Sequence, residues 1–207
     1  MTRPLPPEFL DRVRYLEEAY LAESDPILQS GFHGGPERWR QERGPILEAI
    51  EEDGDLLDVG CAVGHLLDCL VRWGAERGVQ LTPYGLDFNP RLIEAAIART
   101  GAPRSHFFLA NAWDWRPPRR FRYIYVLIDC VPRDYEAGLV SQLLDRAVEP
   151  GGRLIVGEYG SRSQKRPPRP MGEVFAGYGF EIAGSAWGGD PVLTSFAWID
   201  AAQREAA

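Results

Sequence analysis

The rest of the chain is organised around the stretch Leu56-Leu57-Asp58-Val59-Gly60-Cys61-Ala62-Val63-Gly64. A short apolar run carrying one acid meets two glycines and then a helical pattern, which reads as strand, tight turn and helix start. Glycine permits dihedrals closed to other residues and lets a ligand approach the backbone closely. The helix start adds unpaired N–H groups and a partial positive charge. Such a turn suits a small molecule with a polar, partly anionic body. The spacing is G-x-A-x-G, with an acid two residues before the first glycine. It matches the dinucleotide fingerprint G-x-G-x-x-G poorly.

Downstream, apolar runs of strand length alternate with helical segments. The pattern predicts strands at 55–59, 82–87, 105–109, 121–127 and 152–158, with helices at 64–77, 90–100 and 134–148. The runs LLDV, YIYVLI and RLIVGEY are nearly continuous in apolar character, as expected of strands covered on both faces. That alternation implies an α/β fold with a doubly wound, mostly parallel sheet. A helix at 168–178 precedes strands at 180–187 and 192–199, joined by the turn Gly188-Gly189-Asp190-Pro191. Strands joined so closely are antiparallel, so the seventh strand runs against the others.

Upstream, residues 7–24 read as a helix with Pro6 and Pro7 at its start and Phe9, Val13, Leu16 and Tyr20 on one face. Gly31-Phe32-His33-Gly34-Gly35-Pro36 is a mobile loop by composition. A second helical stretch over 36–50 is expected to break or kink at Gly44-Pro45. The chain thus divides into a helical N-terminal extension over 1–54, a Rossmann-like domain over 55–200 and a tail over 201–207.

The 207 residues carry 44% apolar and 26% charged side chains, an ordinary globular balance. With 23 basic and 30 acidic residues the formal charge is −7, which disfavours non-specific binding to nucleic acid or anionic membrane. Lys165 is the one lysine among the basic residues, so clustered arginine is weaker evidence of phosphate recognition than usual. The basic loop Arg162-Ser163-Gln164-Lys165-Arg166-Pro167-Pro168-Arg169-Pro170 is either solvated or a rim for an acidic substrate. The cysteines Cys61, Cys69 and Cys130 form no C-x-x-C pair, and their odd number argues against a disulfide framework. A reduced, cytoplasmic compartment is the simple expectation. No signal-peptide core or membrane-spanning apolar run is read, and no metal-ligand spacing.

Ligands of open α/β sheets bind at the carboxyl ends of the strands. Those ends carry Asp58-Val59-Gly60, Leu86-Asp87-Phe88, Asn111-Ala112-Trp113, Leu127-Ile128-Asp129 and Glu158-Tyr159. Over 55–199 this set, with the closing hairpin, resembles the class I S-adenosylmethionine-dependent methyltransferases of small bacterial type. DVGCAVG is similar to their D/E-x-G-x-G-x-G motif, with Ala62 at the middle glycine. The resemblance implies that Gly60, Cys61, Ala62 and Gly64 pass beneath the methionyl part of the cofactor. It places Asp58 near the cofactor's amino group, directly or through the loop backbone or a water. It also implies that Asp87 takes the ribose hydroxyls and that Phe88 flanks the adenine. Asn111 and Ala112 then face the adenine edge, with Leu127 in the same site. Trp113 either shields the base or packs in the core.

In the small-molecule members such N-terminal extensions form a lid. Here Trp39 and Arg43, four residues apart on one helix face, are the favoured contacts, with Arg43 reaching for the cofactor carboxylate. A packed helix pair without ligand contact is the alternative. Alignment alone can supply much of the rate of methyl transfer, and a base is needed only where the nucleophile must lose a proton. Candidate bases are His33, Asp129, Glu158 and Tyr159, with Asp129 and His33 preferred. His65 sits at a helix start that disfavours its protonation, His106 reads as structural, and Cys130 as a covalent nucleophile is a runner-up. Asp129-Cys130-Val131-Pro132 lacks the N-P-P-Y or D-P-P-Y signature of nucleic-acid amino-group methylation. The expectation is methyl transfer from S-adenosylmethionine to a small-molecule acceptor, with nucleic acid and membrane as disfavoured partners. RNA or protein methylation, or a non-catalytic cofactor-binding module, are the alternatives.

Overall fold

The computed structural model describes residues 4–202, and in the first helix it leaves out the side chains of Glu8, residues 12–17 and Ala19. Val13 and Leu16, expected on that helix's apolar face, therefore lie outside the described side chains, as do residues 203–207 of the tail. The chain opens with helix α1 (Pro7–Ala22), a 3-10 turn (Leu28–Ser30) and α2 (Gly35–Arg43). The break expected at Gly44-Pro45 is there, and a 3-10 segment over Gly44–Ala49 replaces the rest of that helix. Then follow β1 (Gly54–Val59), α3 (His65–Glu76), β2 (Leu81–Asp87), α4 (Pro90–Thr100), β3 (Phe107–Leu109) and β4 (Phe121–Leu127). The order closes with α5 (Glu136–Arg146), β5 (Val148–Tyr159), α6 (Met171–Gly177), β6 (Gly184–Gly188) and β7 (Thr194–Asp200).

The seven strands lie in the order β3-β2-β1-β4-β5-β7-β6. β3 to β5 pair in parallel, while β7 slots between β5 and β6 and pairs antiparallel with both. The sixth strand starts later than its apolar pattern suggests. Gly179, at φ +90°, turns the chain back so that the Phe180 N–H donates to the Phe175 carbonyl and closes the end of α6.

Alternation along the strands feeds two cores. Leu57, Val59, Ile124, Val126, Leu154 and Val156 point to the face that α5 and α6 cover. Leu56, Tyr123, Tyr125, Ile155 and Phe196 point to the opposite face, with Leu67 and Leu70 of α3. Burial on both sides is why these strands read as nearly continuous apolar runs. The N-terminal segment belongs to both cores. Leu5, Phe9 and Leu10 pack on the α5 side, where the Tyr135 hydroxyl donates to the Pro4 carbonyl. Phe32, Trp39, Ile46 and Leu47 pack on the α3 side. The chain between them therefore passes from one face to the other, and α1 borders the carboxyl ends of the strands.

Candidate active site

At those ends lies a cavity of about 200 Å³. Its floor is the turn after β1. The N–H groups of Gly60 and Cys61 both donate to the Leu86 carbonyl, at 2.7 and 3.0 Å, which ties this turn to the end of β2. Gly60 has φ +84° and open space where a side chain would begin, so its backbone faces the cavity bare. Ala62 adopts φ +45° and Gly64 φ +73°. A Cβ on Gly64 would meet Ala96 of α4 at 3.0 Å, so this second glycine serves helix packing beneath the turn.

Asp87 ends β2 and lines the cavity. One carboxylate oxygen accepts from the Ala62 N–H at 3.0 Å and the other from the Asn89 N–H at 3.0 Å. Each oxygen keeps a lone pair for a further donor. Helix α4 is capped by Asn89, whose side chain accepts from the N–H groups of Arg91 and Leu92. Asp87 is therefore not needed as a cap. Burial raises its pKa, against the backbone hydrogen bonds from Asn89, Ala62 and Phe88. Asp58, in β1 beside the lining residue Val59, is pushed up to about 7 by burial and by the charge of Asp87. Two buried carboxylates in this state fit a ligand that brings hydroxyl donors and positive charge. A nucleoside with an attached ammonium or sulfonium has that donor set, and the bare Gly60 surface leaves room for it.

Of the residues expected in the site, Gly60, Ala62, Asp87, Phe88, Asn111, Ala112, Leu127 and Asp129 line this cavity. The Asn111 side-chain oxygen already accepts from the Trp113 N–H at 2.9 Å, which leaves its amide nitrogen and one lone pair for a ligand. Others are placed elsewhere. Trp113 is buried edge-on against Tyr135, so it packs in the core. Cys61 is buried beside Gly85, and burial raises its thiol pKa. Trp39 packs on Phe32 and His65. Arg43 is buried with its guanidinium 4.0 to 4.6 Å from the rings of Tyr159, Phe32 and Trp39 and bonded to Glu42, though its Nε has no partner. Neither Trp39 nor Arg43 reaches the lining, because the α3-side core holds them. His33 is exposed and lies outside the lining.

The candidate bases separate on the same grounds. Glu158 is buried in ion pairs with Arg166 and Arg169, so its charge is already committed. The Tyr159 hydroxyl shares a 2.8 Å hydrogen bond with Tyr125, and burial raises its phenol pKa. Burial also pushes the Cys130 thiol far up, which disarms it as a nucleophile. His65 is lowered to about 4 by burial and by Arg99. His106 stacks on Tyr84, and its ring nitrogen lies 3.0 Å from the Pro83 carbonyl, as a structural histidine does. Asp129 remains, in a 3-10 turn at the end of β4 and in the cavity wall.

Sequence reasoning missed the wall opposite. Phe9, Leu10 and Tyr20 of α1 line the cavity, with Leu92 of α4 and Ala110 after β3. Their helical spacing was legible, but periodicity marks an apolar face without saying whether it meets a core or a ligand. Burial raises the Tyr20 pKa, and the charges of Asp129 and Asp87 add to it. The basic loop is also engaged: Arg166 and Arg169 hold Glu158, Arg169 forks onto Glu136, and Arg162 donates to the Asp190 carbonyl. Among the described residues no group of acids, histidines and cysteines could hold a metal, and no helix is long and apolar enough to cross a membrane.

Comparison with known proteins finds the same fold. The N-methyltransferase NodS from Bradyrhizobium japonicum WM9, solved with S-adenosylhomocysteine, superposes with a TM-score of 0.66 at 18% identity over 93% of this chain and 98% of its own. The DhpI–S-adenosylhomocysteine complex gives 0.61 at 17% identity over 95% and 98%. A ribosomal protein L11 methylase from Lactobacillus delbrueckii subsp. bulgaricus gives 0.54 at 16% identity over 83% and 81%. No match was found among curated proteins. A methyltransferase-domain family model matches residues 32–172, a span that takes in the glycine turn, Asp87, Asn111 and Asp129. The family model spans more than half of the sequence, so the chain belongs to the methyltransferase-domain family.

Proposed function

We propose that the chain transfers the methyl group of S-adenosylmethionine to a small-molecule acceptor. One observation carries this reading: Phe9, Leu10 and Tyr20 of α1 line one wall of the strand-end cavity and so narrow its approach. A macromolecular acceptor needs an open approach, and the arginines that would serve a polyanion are tied to Glu158, Glu136 and the Asp190 carbonyl. NodS, an N-methyltransferase, and DhpI share the fold over almost the whole chain, which supports the reading.

The cofactor supplies a methyl group on a sulfonium, a leaving group that needs no further activation. Asp87 accepts from the ribose hydroxyls while it keeps its bonds to the Ala62 and Asn89 N–H groups. Phe88 flanks the adenine, and Asn111 and Ala112 face its edge. The bare face of Gly60 admits the methionyl portion, and Asp58 stabilises the positive charge from behind the turn. Asp129 accepts the proton that the acceptor loses. Phe9, Leu10 and Tyr20 hold the acceptor in line and exclude water.

Calorimetric titration with S-adenosylhomocysteine tests the cofactor part. Folded protein that shows no binding at millimolar ligand would overturn it. For the acceptor, S-adenosylhomocysteine release is followed with a metabolite panel and, separately, with total RNA and ribosomal protein. Turnover confined to the macromolecules would overturn the small-molecule assignment.

A further inference from the structure

Three elements that share no strand pairing meet at one arginine. Arg99, in the last turn of α4, donates from Nε to the Val63 carbonyl at 2.9 Å and from Nη2 to the Gln29 side-chain oxygen at 2.6 Å. The Gln29 amide in turn donates to the Glu23 carbonyl at 2.8 Å. Glu23 is the C-cap residue of α1, where helix carbonyls lack intrahelical partners. One unbroken hydrogen-bonded line thus runs from the glycine turn, through α4, to the end of the helix that walls the cavity.

Both ends of that line are stiff. In the glycine turn, consecutive residues are gripped from opposite sides: Asp87 takes the Ala62 N–H and Arg99 takes the next carbonyl, that of Val63. The Val63 side chain is buried, and its neighbours Ala62 and Gly64 both hold positive φ, so the carbonyl shifts only together with the whole turn. At the other end, Asp25 bonds the N–H groups of Ile27 and Leu28, and Gly31 donates to the Leu28 carbonyl, which closes a compact turn around Gln29. Arg99 and Gln29 are half-buried, where a charge-assisted hydrogen bond retains more strength than at a free surface.

We propose that Arg99 and Gln29 are positioning residues that latch α1 to the cofactor turn, so that cofactor binding and closure of α1 over the acceptor favour each other. The proposal rests on reading the cavity as the S-adenosylmethionine site. A ligand on Asp87 and Gly60 holds the Val63 carbonyl where Arg99 meets it. Arg99 then presents its second nitrogen to Gln29, and Gln29 holds the end of α1. That brings Tyr20, in the last turns of α1, against the acceptor space. Linkage makes the coupling reciprocal: whatever factor closure adds to cofactor affinity, the cofactor adds to closure.

The test compares wild type, Gln29→Ala and Gln29→Glu by S-adenosylhomocysteine calorimetry, thermal denaturation and amide hydrogen exchange. In wild type the ligand should slow exchange in both Gly60–Gly64 and α1. Gln29→Ala should lose the slowing in α1 and keep it in the glycine turn, with affinity lower by about three- to tenfold, as expected for one partly exposed charge-assisted bond. Gln29→Glu retains the acceptor for Arg99 but has no N–H for the Glu23 carbonyl, so it too should lose the slowing in α1 while it keeps the slowing in the glycine turn. Gln29→Ala that melts lower but keeps full affinity and ligand-induced slowing in α1 overturns the latch and leaves a merely structural contact. Wild type that binds ligand without slowing exchange in α1 also overturns it, and leaves the cofactor assignment standing. Wild type that binds no ligand overturns both.

Discussion

Asp58 should make both the stability and the cofactor affinity of this protein depend on pH near neutrality. It is 3% exposed, and burial with the nearby Asp87 charge holds its carboxyl at about 7 against a usual 3.8. The folded pKa is raised, so between those values the folded chain keeps a proton that the unfolded chain releases. The stability from this group is fully present below about pH 4 and is lost as the pH rises through about 7. At 1.36 kcal/mol per pKa unit the interval corresponds to about 4 kcal/mol. A ligand that brings an ammonium or sulfonium into the cavity favours ionised Asp58, so binding below neutrality releases a proton. With a free value of about 7 and a bound ligand that holds Asp58 ionised, affinity for S-adenosylhomocysteine falls about tenfold from pH 8 to pH 6. Calorimetry in two buffers of different ionisation enthalpy measures both the affinity and the released proton. Asp58→Asn should flatten the pH dependence of binding and melt higher than wild type at pH 8, where wild type carries the buried charge. Equal affinity at pH 6 and pH 8 without proton release would refute the reasoning. So would an Asp58→Asn protein that keeps the wild-type pH slope.

Asp87→Ala removes the acceptor of the ribose hydroxyls and should weaken S-adenosylhomocysteine binding tenfold or more by calorimetry, from about 1.5–3 kcal/mol per charged hydrogen bond. The two turn glycines should separate binding from stability. Gly60→Ala strains a residue at φ +84° by about 1–2 kcal/mol and puts a methyl group into open cavity space, so affinity falls most. Gly64→Ala adds a collision with Ala96 to its φ of +73°, so the melting temperature falls further than for Gly60→Ala. Arg169→Met leaves Glu136 and Glu158 buried without their shared cation, and chemical denaturation should show a loss of about 3–5 kcal/mol with cofactor affinity unchanged.

Most of the scaffold was legible because its signals are local. LLDV, YIYVLI and RLIVGEY are nearly continuous in apolar character because both faces of their strands are covered. Gly60, Ala62, Asp87, Asn111 and Asp129 follow directly from lying at strand ends. The aromatic and charged candidates were harder to assign, since one residue type serves core and site equally. Trp113 sits two residues from Asn111, yet its ring turns onto Tyr135. Arg43 is on the expected helix, but three aromatic rings and Glu42 hold its charge away from the cavity lining. Glu158 reads as a base at a strand end until Arg166 and Arg169, eight and eleven residues on, fold back onto it.

The strand–turn–helix order, the reversed last strand and the acids at the strand ends are all read from the sequence, because each rests on spacing over a few residues. Which candidates share one cavity, how far each acid is removed from water, and that α1 lines one wall emerge only from the folded arrangement. Those depend on contacts between segments far apart in the chain, such as Arg99 with Gln29 and Val63, and no local pattern encodes them.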